Sequence, residues 1–264
     1  MAKKILLALL VVFLLTLALV SCGDTEGIVY DISADGTYAE VIGYSGTATK
    51  IRIADTYEGL PVKNICNAAF YKNYKITSVI IPDSVTSIGG GAFQNCTSLT
   101  RVVIGDSVTR IGASAFSDCD NLTRVVIPNS VTRIGDWAFS DCNNLTNITV
   151  DENNQSYMSI GGNLYSKDGK ILIQYAIGKS ESEFIIPNSV TSIDYGAFSN
   201  CDSLTSVVIG DSVTSIGDAA FYECSSLSDV YYTGTEAEWK AITIGSGNYD
   251  LTSATIHYNY VPEE

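Results

Sequence analysis

Two adjacent blocks of sequence decide the fold. Residues 99–121 read LTRVVIGDSVTRIGASAFSDCDN, and residues 122–144 read LTRVVIPNSVTRIGDWAFSDCNN, so nearly the same 23 residues occur twice in succession. The alternating Val-x-Ile core of each block predicts a short strand, which Gly105 or Pro128 ends. The remaining apolar positions fit neither one helix nor one strand, and they therefore predict a coil that turns once per block.

The pattern continues on both sides of these blocks. Full copies occupy residues 76–98 and 204–226, a partial copy occupies residues 184–203, and a degenerate first copy occupies residues 51–75. The Val-Thr-x-Ile-Gly segment of each copy predicts a second extended piece, and the Ala-Phe pair predicts a short helical or 3-10 turn whose phenylalanine fills the core. One copy cannot bury its apolar face alone, so stacked copies stabilise one another, with strands about 4.8 Å apart.

The blocks from Leu99 to Cys119, Leu122 to Cys142 and Leu204 to Cys224 resemble the BspA-like leucine-rich-repeat proteins of bacterial and protist surfaces. A fixed period of 23 residues lies within the range of leucine-rich repeats. The resemblance predicts a leucine-rich-repeat solenoid that is rich in parallel stacked strands, has short helical or 3-10 turns, and is capped at both ends. It implies an exported adhesin-like or host-interacting role and does not indicate a ligand.

The repeats are predicted to span residues 51–226, with one departure from the period at about residues 151–182. Asp168-Gly169 lies there between two extended apolar runs, which predicts a hairpin with a tight primed turn. The hairpin is interpreted as a spacer within the stack, and a functional protrusion is the alternative.

Both ends of an open solenoid expose unpaired strands and must be covered. Residues 22–50 are predicted to form a tether and a capping hairpin around Asp35-Gly36. Residues 227–264 are predicted to form a C-terminal cap with a short helix at 235–242. Thr235, followed three residues later by a glutamate, has the pattern of a capping box at the start of that helix.

The first residues have the features of an export signal. Lys3 and Lys4 precede an apolar stretch from Ile5 to Val20, and the sequence LVSC then ends at Cys22. This ending resembles the lipobox of bacterial lipoproteins, which implies that residues 1–21 are removed and that Cys22 carries the lipid. An uncleaved membrane helix and ordinary signal cleavage are the alternatives, because the apolar stretch is nearly long enough to span a bilayer.

The chain is strongly acidic, with a formal net charge of −14. Residues 1–21 contain two lysines and no acid, so their removal takes the charge from −14 to −16. Such a surface repels phosphate backbones, so nucleic acid is not an expected partner. It also disfavours adhesion to anionic headgroups, and the predicted membrane attachment therefore depends on the acyl chains at Cys22.

No motif predicts catalysis, a metal or a cofactor. The single histidine, His257, is predicted to be an ordinary strand residue, and neither an HExxH nor a CxxC motif occurs. Most acids, such as Asp83, Asp106 and Asp211, recur at equivalent turn positions, whereas catalytic carboxylates would be singular. A glycosidase with paired carboxylates therefore stays a minor alternative.

Five cysteines recur three residues after the core phenylalanine, and Asn73 takes this position in the first repeat. Stacked side chains in one column have parallel Cβ directions about 5 Å apart, a geometry that does not suit disulfides. The column is therefore predicted to hold small buried thiols. Cys66 is predicted to lie outside it, in the glycine column. The five cysteines of the column are Cys96, Cys119, Cys142, Cys201 and Cys224.

The residue between the two core positions of each Val-x-Ile strand is expected to face outward. An exposed aliphatic column flanked by polar residues can mark an interaction surface, although β-branched residues also favour strands without binding anything. Arg101 and Arg124 lie on adjacent rungs of an acidic protein and are the best predicted anchors. The full set of predicted ligand-binding residues is Arg101, Val103, Arg124, Val126, Val208 and Tyr231.

The sequence therefore favours a monomeric, lipid-anchored cell-surface protein that binds a protein or glycan of a host or another cell. A structural spacer or stalk without a dedicated ligand is the second hypothesis, and the glycosidase is the third. No cofactor is expected.

Overall fold

The computed structural model describes residues 24–262, so the predicted signal peptide at residues 1–21 and Cys22 lie outside the described residues. The described chain is a solenoid of parallel strands with little helix. Each turn contributes one strand to each of two faces, and a hydrogen-bonded turn segment joins them around a common core. The predicted leucine-rich-repeat architecture is confirmed.

The strands are numbered β1 to β22 in chain order. The Val-x-Ile face consists of β3 (Lys50–Arg52), β6 (Ser78–Ile80), β8 (Arg101–Val103), β10 (Arg124–Ile127), β12 (Asn147–Val150), β16 (Glu183–Ile185), β18 (Ser206–Ile209), β20 (Asp229–Tyr232) and β22 (Thr255–His257). The Thr-x-Ile face consists of β2 (Ala39–Tyr44), β5 (Leu60–Ile65), β7 (Ser87–Ile88), β9 (Arg110–Ile111), β11 (Arg133–Ile134), β15 (Ile171–Gln174), β17 (Ser192–Ile193), β19 (Ser215–Ile216) and β21 (Thr243–Ile244). The remaining elements are β1 (Ile28–Ile32), β4 (Thr56–Tyr57), β13 (Tyr157–Ile160), β14 (Asn163–Ser166), α1 (Glu236–Ala241) and α2 (Tyr249–Ser253).

Equivalent residues of successive repeats lie on adjacent rungs. On the Thr-x-Ile face Ile88 pairs with Ile111, which pairs with Ile134, so the register advances by the 23-residue period. This face runs without interruption from β1 to β11 and again from β13 to β21. The Val-x-Ile face is divided into three ladders, which are β3-β6-β8, β10-β12 and β16-β18-β20-β22.

The core phenylalanines form a file along the solenoid. Ring centroids lie 4.8 Å apart between Phe70 and Phe93, 5.2 Å between Phe93 and Phe116, and 5.7 Å between Phe116 and Phe139. Their planes are nearly parallel and the rings are buried, so each contributes about 1.5–3 kcal/mol of burial plus contacts with the next ring. After the insertion the file continues through a tyrosine and two phenylalanines, which are Tyr175, Phe198 and Phe221.

The Ala-Phe segments form single turns rather than continuous helices, in agreement with the predicted short helical or 3-10 turns. In the second repeat the Ala92 amide donates to Gly89 and the Cys96 amide donates to Phe93, which are turn bonds of the 3-10 type. Gly91 and Asn95 have φ of +58° and +61°, however, and these left-handed residues prevent the turns from joining into a helix. The segments are therefore series of single turns, and hydrogen bonds to the next repeat hold them in place.

The predicted thiol column is confirmed. Cys96 and Cys119 are buried, and their thiols donate to the carbonyl oxygens of Phe70 and Phe93 at 3.2 and 3.3 Å. Burial raises the pKa of the Cys96 thiol to about 12, so it is a neutral thiol at physiological pH. In the first repeat the Asn73 side chain accepts the backbone N–H groups of Lys75 and Ile76 instead.

The insertion is more elaborate than the predicted hairpin. Strands β13, β14 and β15 form an antiparallel meander, and β15 then pairs in parallel with β17, so the insertion lies within the stack. The predicted primed turn at Asp168-Gly169 is wrong. The primed turn that Asp-Gly favours needs a positive φ at both residues, and only Gly169 has one (+69°). The Gly169 amide donates to the Ser166 carbonyl, which closes a type I turn before the glycine. The Asp168 carboxylate stabilises this turn because it accepts the Ser166 hydroxyl and the Lys170 amide.

The C-terminal cap supplies the contacts that a further repeat would make. Thr235 and Glu238 form the predicted capping box of α1, and the side chain of Trp239 packs edge-on against Tyr232 with a centroid distance of 5.2 Å. The Asn248 side chain accepts the Phe221 amide at 2.9 Å, and the Asp250 carboxylate accepts the Cys224 amide at 3.1 Å. Asn248 thereby takes the place of the next repeat's carbonyl group, as Ala220 provides for the Phe198 amide. Asp250 takes the place of a carbonyl of the same repeat, as Phe198 provides for the Cys201 amide.

At the other end, β1 and β2 form an antiparallel hairpin around Gly36, and β2 pairs in parallel with β5. Tyr30 in this hairpin stacks on Tyr57 with a centroid distance of 4.8 Å. Within residues 24–262 the helices are too short and too polar to traverse a lipid bilayer.

Candidate binding face

The two predicted columns of the Val-x-Ile face lie in register within each ladder. Ser78 pairs with Arg101, and Arg124 pairs with Asn147, because each pair occupies equivalent positions of successive repeats. Val103 is 36% exposed and Val126 is 50% exposed. The predicted outward orientation is therefore confirmed for these valines, and their role in binding stays a prediction.

Val208 does not share this exposure. It lies between Ile185 and Tyr231 in the register of β16, β18 and β20, and only 2% of its surface is exposed. The prediction that this column is exposed throughout is wrong at Val208, which offers almost no surface to a partner.

Tyr231 belongs to an aromatic cluster at the C-terminal end of the face. The Tyr231 ring stacks on His257 with a centroid distance of 4.7 Å, and the Tyr260 ring also packs against Tyr231, at 4.7 Å in a tilted arrangement. His257 lies in β22, as predicted, and its Nε2 atom lies 2.7 Å from the Asp229 carboxylate. The hydrogen bond from His257, with a second from Ser228, lowers the pKa of Asp229.

The residues around His257 do not form a nucleophile and base pair. The Ser228 hydroxyl donates to the Asp229 carboxylate at 2.7 Å rather than to the imidazole. A serine nucleophile would need its hydroxyl directed at the imidazole nitrogen. Among residues 24–262 no group of three or more histidine, cysteine or acidic side chains is arranged to hold a metal ion.

Charge changes sign along the polar column of the face. Lys50, Arg101 and Arg124 occupy the N-terminal half, whereas Glu183 and Asp229 occupy the equivalent positions of the C-terminal half. The N-terminal half is thus a local basic area on a chain whose net charge is −14. We define the basic face as Lys50, Ile80, Arg101, Val103, Arg124 and Val126.

The two arginines on the basic face are free to bind a partner. Within the described chain, residues 24–262, neither Arg101 nor Arg124 makes a side-chain hydrogen bond or an ion pair. Arg52 differs, since its guanidinium lies 3.5 Å from the Asp55 carboxylate and 4.0 Å from Asp24. Among the described residues the uncompensated charge of the basic face therefore lies on Lys50 of β3 and on the two arginines of β8 and β10.

Strands β8 and β10 are adjacent but belong to different ladders, and an open groove of about 550 Å³ lies over them. A groove of similar size, about 540 Å³, lies over the paired strands β3, β6 and β8, so the lack of pairing rather than the volume distinguishes β8 and β10. We call the groove over β8 and β10 the β8–β10 opening. Its lining includes Thr100, Arg101, Val103, Thr123, Arg124 and Val126.

Sequence reasoning missed the β8–β10 opening. Both flanking segments read LTRVVI, and the period between them is the regular 23 residues. The two segments first differ directly after LTRVVI, where Gly105 in one repeat is replaced by Pro128 in the next.

Comparisons with known proteins agree with this architecture. A family model described as the BspA type leucine rich repeat region matches six copies, over residues 63–172 and 174–240. No curated protein showed significant sequence similarity to the chain.

Several solved structures resemble the solenoid. The pneumococcal vaccine antigen PcpA is 19% identical with a TM-score of 0.61, and the match covers 87% of this chain and 71% of PcpA. A leucine-rich repeat protein from Eubacterium ventriosum is 22% identical with a TM-score of 0.56, over 89% of this chain and 77% of that protein. The leucine-rich repeat protein of T. pallidum is 22% identical with a TM-score of 0.50, over 83% of this chain and 94% of that one.

At these identities the structural matches establish the fold. The family model adds the repeat type, because it covers more than half of the chain. The chain therefore belongs to the BspA-type leucine-rich-repeat family.

Proposed function

We propose that this protein is a lipid-anchored cell-surface binding protein that uses its basic face to hold a protein or glycan of a host or another cell. The family suggests a role in protein interaction or adhesion. The observation that carries the proposal is the pair of unpaired arginines, Arg101 and Arg124, on adjacent rungs beside the exposed Val103 and Val126.

The guanidinium groups of the basic face have hydrogen-bonding capacity that the described chain does not use. Arginine is well suited to interfaces because its planar guanidinium can bind a carboxylate or sulfate through two parallel hydrogen bonds. Val103 and Val126 provide apolar surface next to it, and aliphatic surface rimmed by charge is typical of interaction sites. Tyr231 stays a predicted contact of the C-terminal half, and Val208 is left out because it is buried.

A charge reversal with a matched control tests the proposal. The double variant Arg101→Glu/Arg124→Glu alters the basic face, whereas Arg110→Glu/Arg133→Glu alters adjacent rungs of the same two repeats on the Thr-x-Ile face. Full-length protein displayed on cells would be tested for adherence to host extracellular proteins and glycans. We expect adherence of the first variant to fall about tenfold and that of the second to change less than about twofold.

The alternatives predict other outcomes in this assay. A structural stalk without a dedicated ligand would leave adherence unchanged in both variants. Equal losses in both variants would indicate attraction by overall charge rather than by the basic face. Thermal unfolding is measured to check that each variant remains folded. We expect this because exposed charges contribute little to stability.

Anchoring is proposed separately, on the sequence of residues 1–22. We expect export, cleavage before Cys22, and diacylglycerol on its sulfur. Intact-mass analysis of membrane-extracted protein would show loss of residues 1–21 and the added mass of lipid. Wild-type protein recovered from the membrane at full length and without the added mass of lipid would instead support an uncleaved membrane helix.

A further inference from the structure

We infer that the β8–β10 opening binds an extended acidic peptide segment of the partner, whose backbone completes hydrogen bonds that these two strands leave unmade. The inference rests on the proposed function, because it assigns the chemistry of the partner at the basic face. It concerns one gap of the Val-x-Ile face rather than the face as a whole.

The opening is confined to one side of the repeats that flank it. On the opposite side β9 and β11 are paired, with Arg110 beside Arg133. In the turn segments the Phe116 amide donates to the Ala138 carbonyl at 2.8 Å. The two repeats are thus stacked normally except where β8 meets β10.

The missing hydrogen bonds are identified by comparison with the preceding pair of strands. Between β6 and β8, the Thr100 amide donates to Thr77 at 2.9 Å and the Ile81 amide donates to Val103 at 2.9 Å. Across the described chain the equivalent bonds, from Thr123 to Thr100 and from Ile104 to Val126, are not formed. The facing edges therefore present both donors and acceptors to a ligand.

The opening also uncovers part of the core. Val102 and Ile104 are each 7% exposed, whereas the equivalent Val125 and Ile127 of the next repeat are 0% exposed. Apolar atoms at the floor of the groove thus lie beside the unpaired backbone groups. A partner that fits both must bring apolar side chains as well as a polar backbone.

An extended peptide has this combination. Its backbone alternates N–H and C=O groups along one edge, which is how strand addition to a free sheet edge gains affinity. Its side chains alternate in direction, so the acids that face outward can reach Arg101 and Arg124, while the β-branched residues that face inward cover Val102 and Ile104 at the floor of the groove. An anionic glycan offers charge and hydroxyl groups but no apolar side chains, so the peptide matches the groove better.

The surrounding bonds allow the opening to widen without loss of the fold. Full insertion of a strand requires β8 and β10 to lie about 9.6 Å apart, twice the spacing of paired strands. The intact pairing of β9 with β11 and the turn bonds behind the core hold the two repeats together during this movement.

The test uses the detergent-solubilised full-length protein and a fluorescent synthetic peptide of alternating glutamate and valine. We expect Arg101→Glu/Arg124→Glu to weaken peptide binding at least about tenfold and Arg110→Glu/Arg133→Glu to weaken it less than about twofold. A peptide of the same sequence with alternate backbone amides N-methylated should also bind about tenfold more weakly. Amide hydrogen exchange at Ile104 and Thr123 should slow when the unmodified peptide is added.

Several results would overturn the inference while leaving the proposed function in place. These are an absence of peptide binding at millimolar concentration, equal binding of the N-methylated peptide, or preferential binding of a heparin oligosaccharide that the Arg101→Glu/Arg124→Glu variant loses. If that variant also adheres normally to host proteins and glycans, the basic face is not a binding surface, and the inference and the proposed function fail together.

Discussion

The two faces of the same solenoid differ in continuity. Between residues 99–121 and 122–144 the Thr-x-Ile face is paired, whereas the Val-x-Ile face is open. On the paired face a Cβ atom at Gly112 would lie 2.5 Å from the Gly90 nitrogen, and one at Gly135 would lie 2.4 Å from the Ala113 nitrogen. The repeats approach so closely there that only glycine fits.

On the Val-x-Ile face the corresponding position alternates between glycine, at Gly105 and Gly210, and proline, at Pro82, Pro128 and Pro187. A Cβ atom at Gly105 would lie 2.5 Å from the Pro82 carbonyl oxygen, so the approach of that repeat to its predecessor also depends on glycine. Pro128 occupies the equivalent place in the next repeat and carries a ring. The ring cannot make the same approach to Gly105. Pro82 follows β6 in the same way, and β6 still pairs with β3, so a proline at this position does not by itself prevent pairing. We therefore propose that the contact between Pro128 and Gly105 in particular keeps β10 from pairing with β8.

The largest expected effect comes from the core that both faces share. Phe116→Ala removes a buried ring between Phe93 and Phe139 and should lower the free energy of unfolding by about 3–5 kcal/mol. Denaturant unfolding, monitored by circular dichroism, measures this change. Phe116→Leu keeps most of the volume and is the control, with a cost expected to be smaller. If Phe116→Ala cost less than about 1 kcal/mol, the stacked file would not be the common support of the two faces.

The second prediction removes the proposed cause of the difference between the faces. Pro128→Gly should let β10 approach β8 and restore the bonds from Thr123 to Thr100 and from Ile104 to Val126. Hydrogen exchange of these two amides should slow by about tenfold, because one hydrogen bond contributes about 0.5–1.5 kcal/mol.

Local exchange is the right measurement for this variant, since the greater freedom of glycine in the unfolded chain offsets the gain in overall stability. Pro82→Gly, at the equivalent position after the later strand of the intact pair of β3 and β6, is the control and should not slow exchange on that ladder. Unchanged exchange at Thr123 in Pro128→Gly would show that the proline ring does not cause the opening.

How far the sequence predicts the structure also differs between regions. The repeats were predictable because the positions of Phe116, Cys119 and Ile111 recur, and equivalent positions in stacked copies share one environment. The capping box was predictable because Thr235 and Glu238 interact locally. These features depend on spacing alone.

The features that were not predictable depend on contacts between rungs. The burial of Val208 depends on its surroundings in the sheet, because the residue type at that position equals that of the exposed Val103 and Val126. The turn at Gly169 depends on side-chain bonds of Asp168 that compete with the primed conformation. The β8–β10 opening lies between two identical LTRVVI segments, so it depends on how neighbouring rungs contact each other, and we attribute it to Pro128 facing Gly105.

A third, smaller effect is expected where the insertion interrupts both faces. There Trp137 stacks on Tyr195 at 4.8 Å, and the Asn200 side chain donates to the Asp141 carboxylate. Burial, together with the nearby Asp118, raises the pKa of Asp141. The folded state therefore binds this proton more tightly than the unfolded chain does, so stability is lost as pH rises through the raised pKa and is recovered as pH falls toward 3.8.

Asp141→Asn removes the buried charge and keeps an acceptor for Asn200. We expect it to raise the free energy of unfolding at pH 7 by about 0.5–1 kcal/mol, a modest gain because Asp141 is partly exposed to solvent. The free energy of unfolding should also depend less on pH between pH 4 and 7. Urea unfolding at several pH values measures both changes. Asp106→Asn removes an exposed carboxylate and should alter neither. Destabilisation by Asp141→Asn would mean that its charge supports the junction rather than weakening it.

The smallest expected effect compares two threonines across the β8–β10 opening. The Thr100 hydroxyl donates to the Thr77 carbonyl at 2.9 Å, and the Thr146 hydroxyl donates to Thr123 at 3.2 Å, but within residues 24–262 the Thr123 hydroxyl makes no such bond to Thr100. Replacing threonine by valine removes the hydroxyl and keeps the branched shape. Thr100→Val should therefore cost about 0.5 kcal/mol at this exposed position, whereas Thr123→Val should cost close to nothing.

Because the two threonines occupy equivalent positions in nearly identical segments, strand propensity and side-chain entropy cancel in the comparison. The difference in unfolding free energy then reports whether the threonine hydroxyl can reach the carbonyl oxygen of the equivalent threonine in the preceding repeat. Equal costs would mean that β8 and β10 pair in solution, and the binding of an extended peptide would then require a bond to be broken before another is made. In Pro128→Gly, where the gap is expected to close, the cost of Thr123→Val should rise to match that of Thr100→Val, which ties the smallest effect to the proposed cause of the opening.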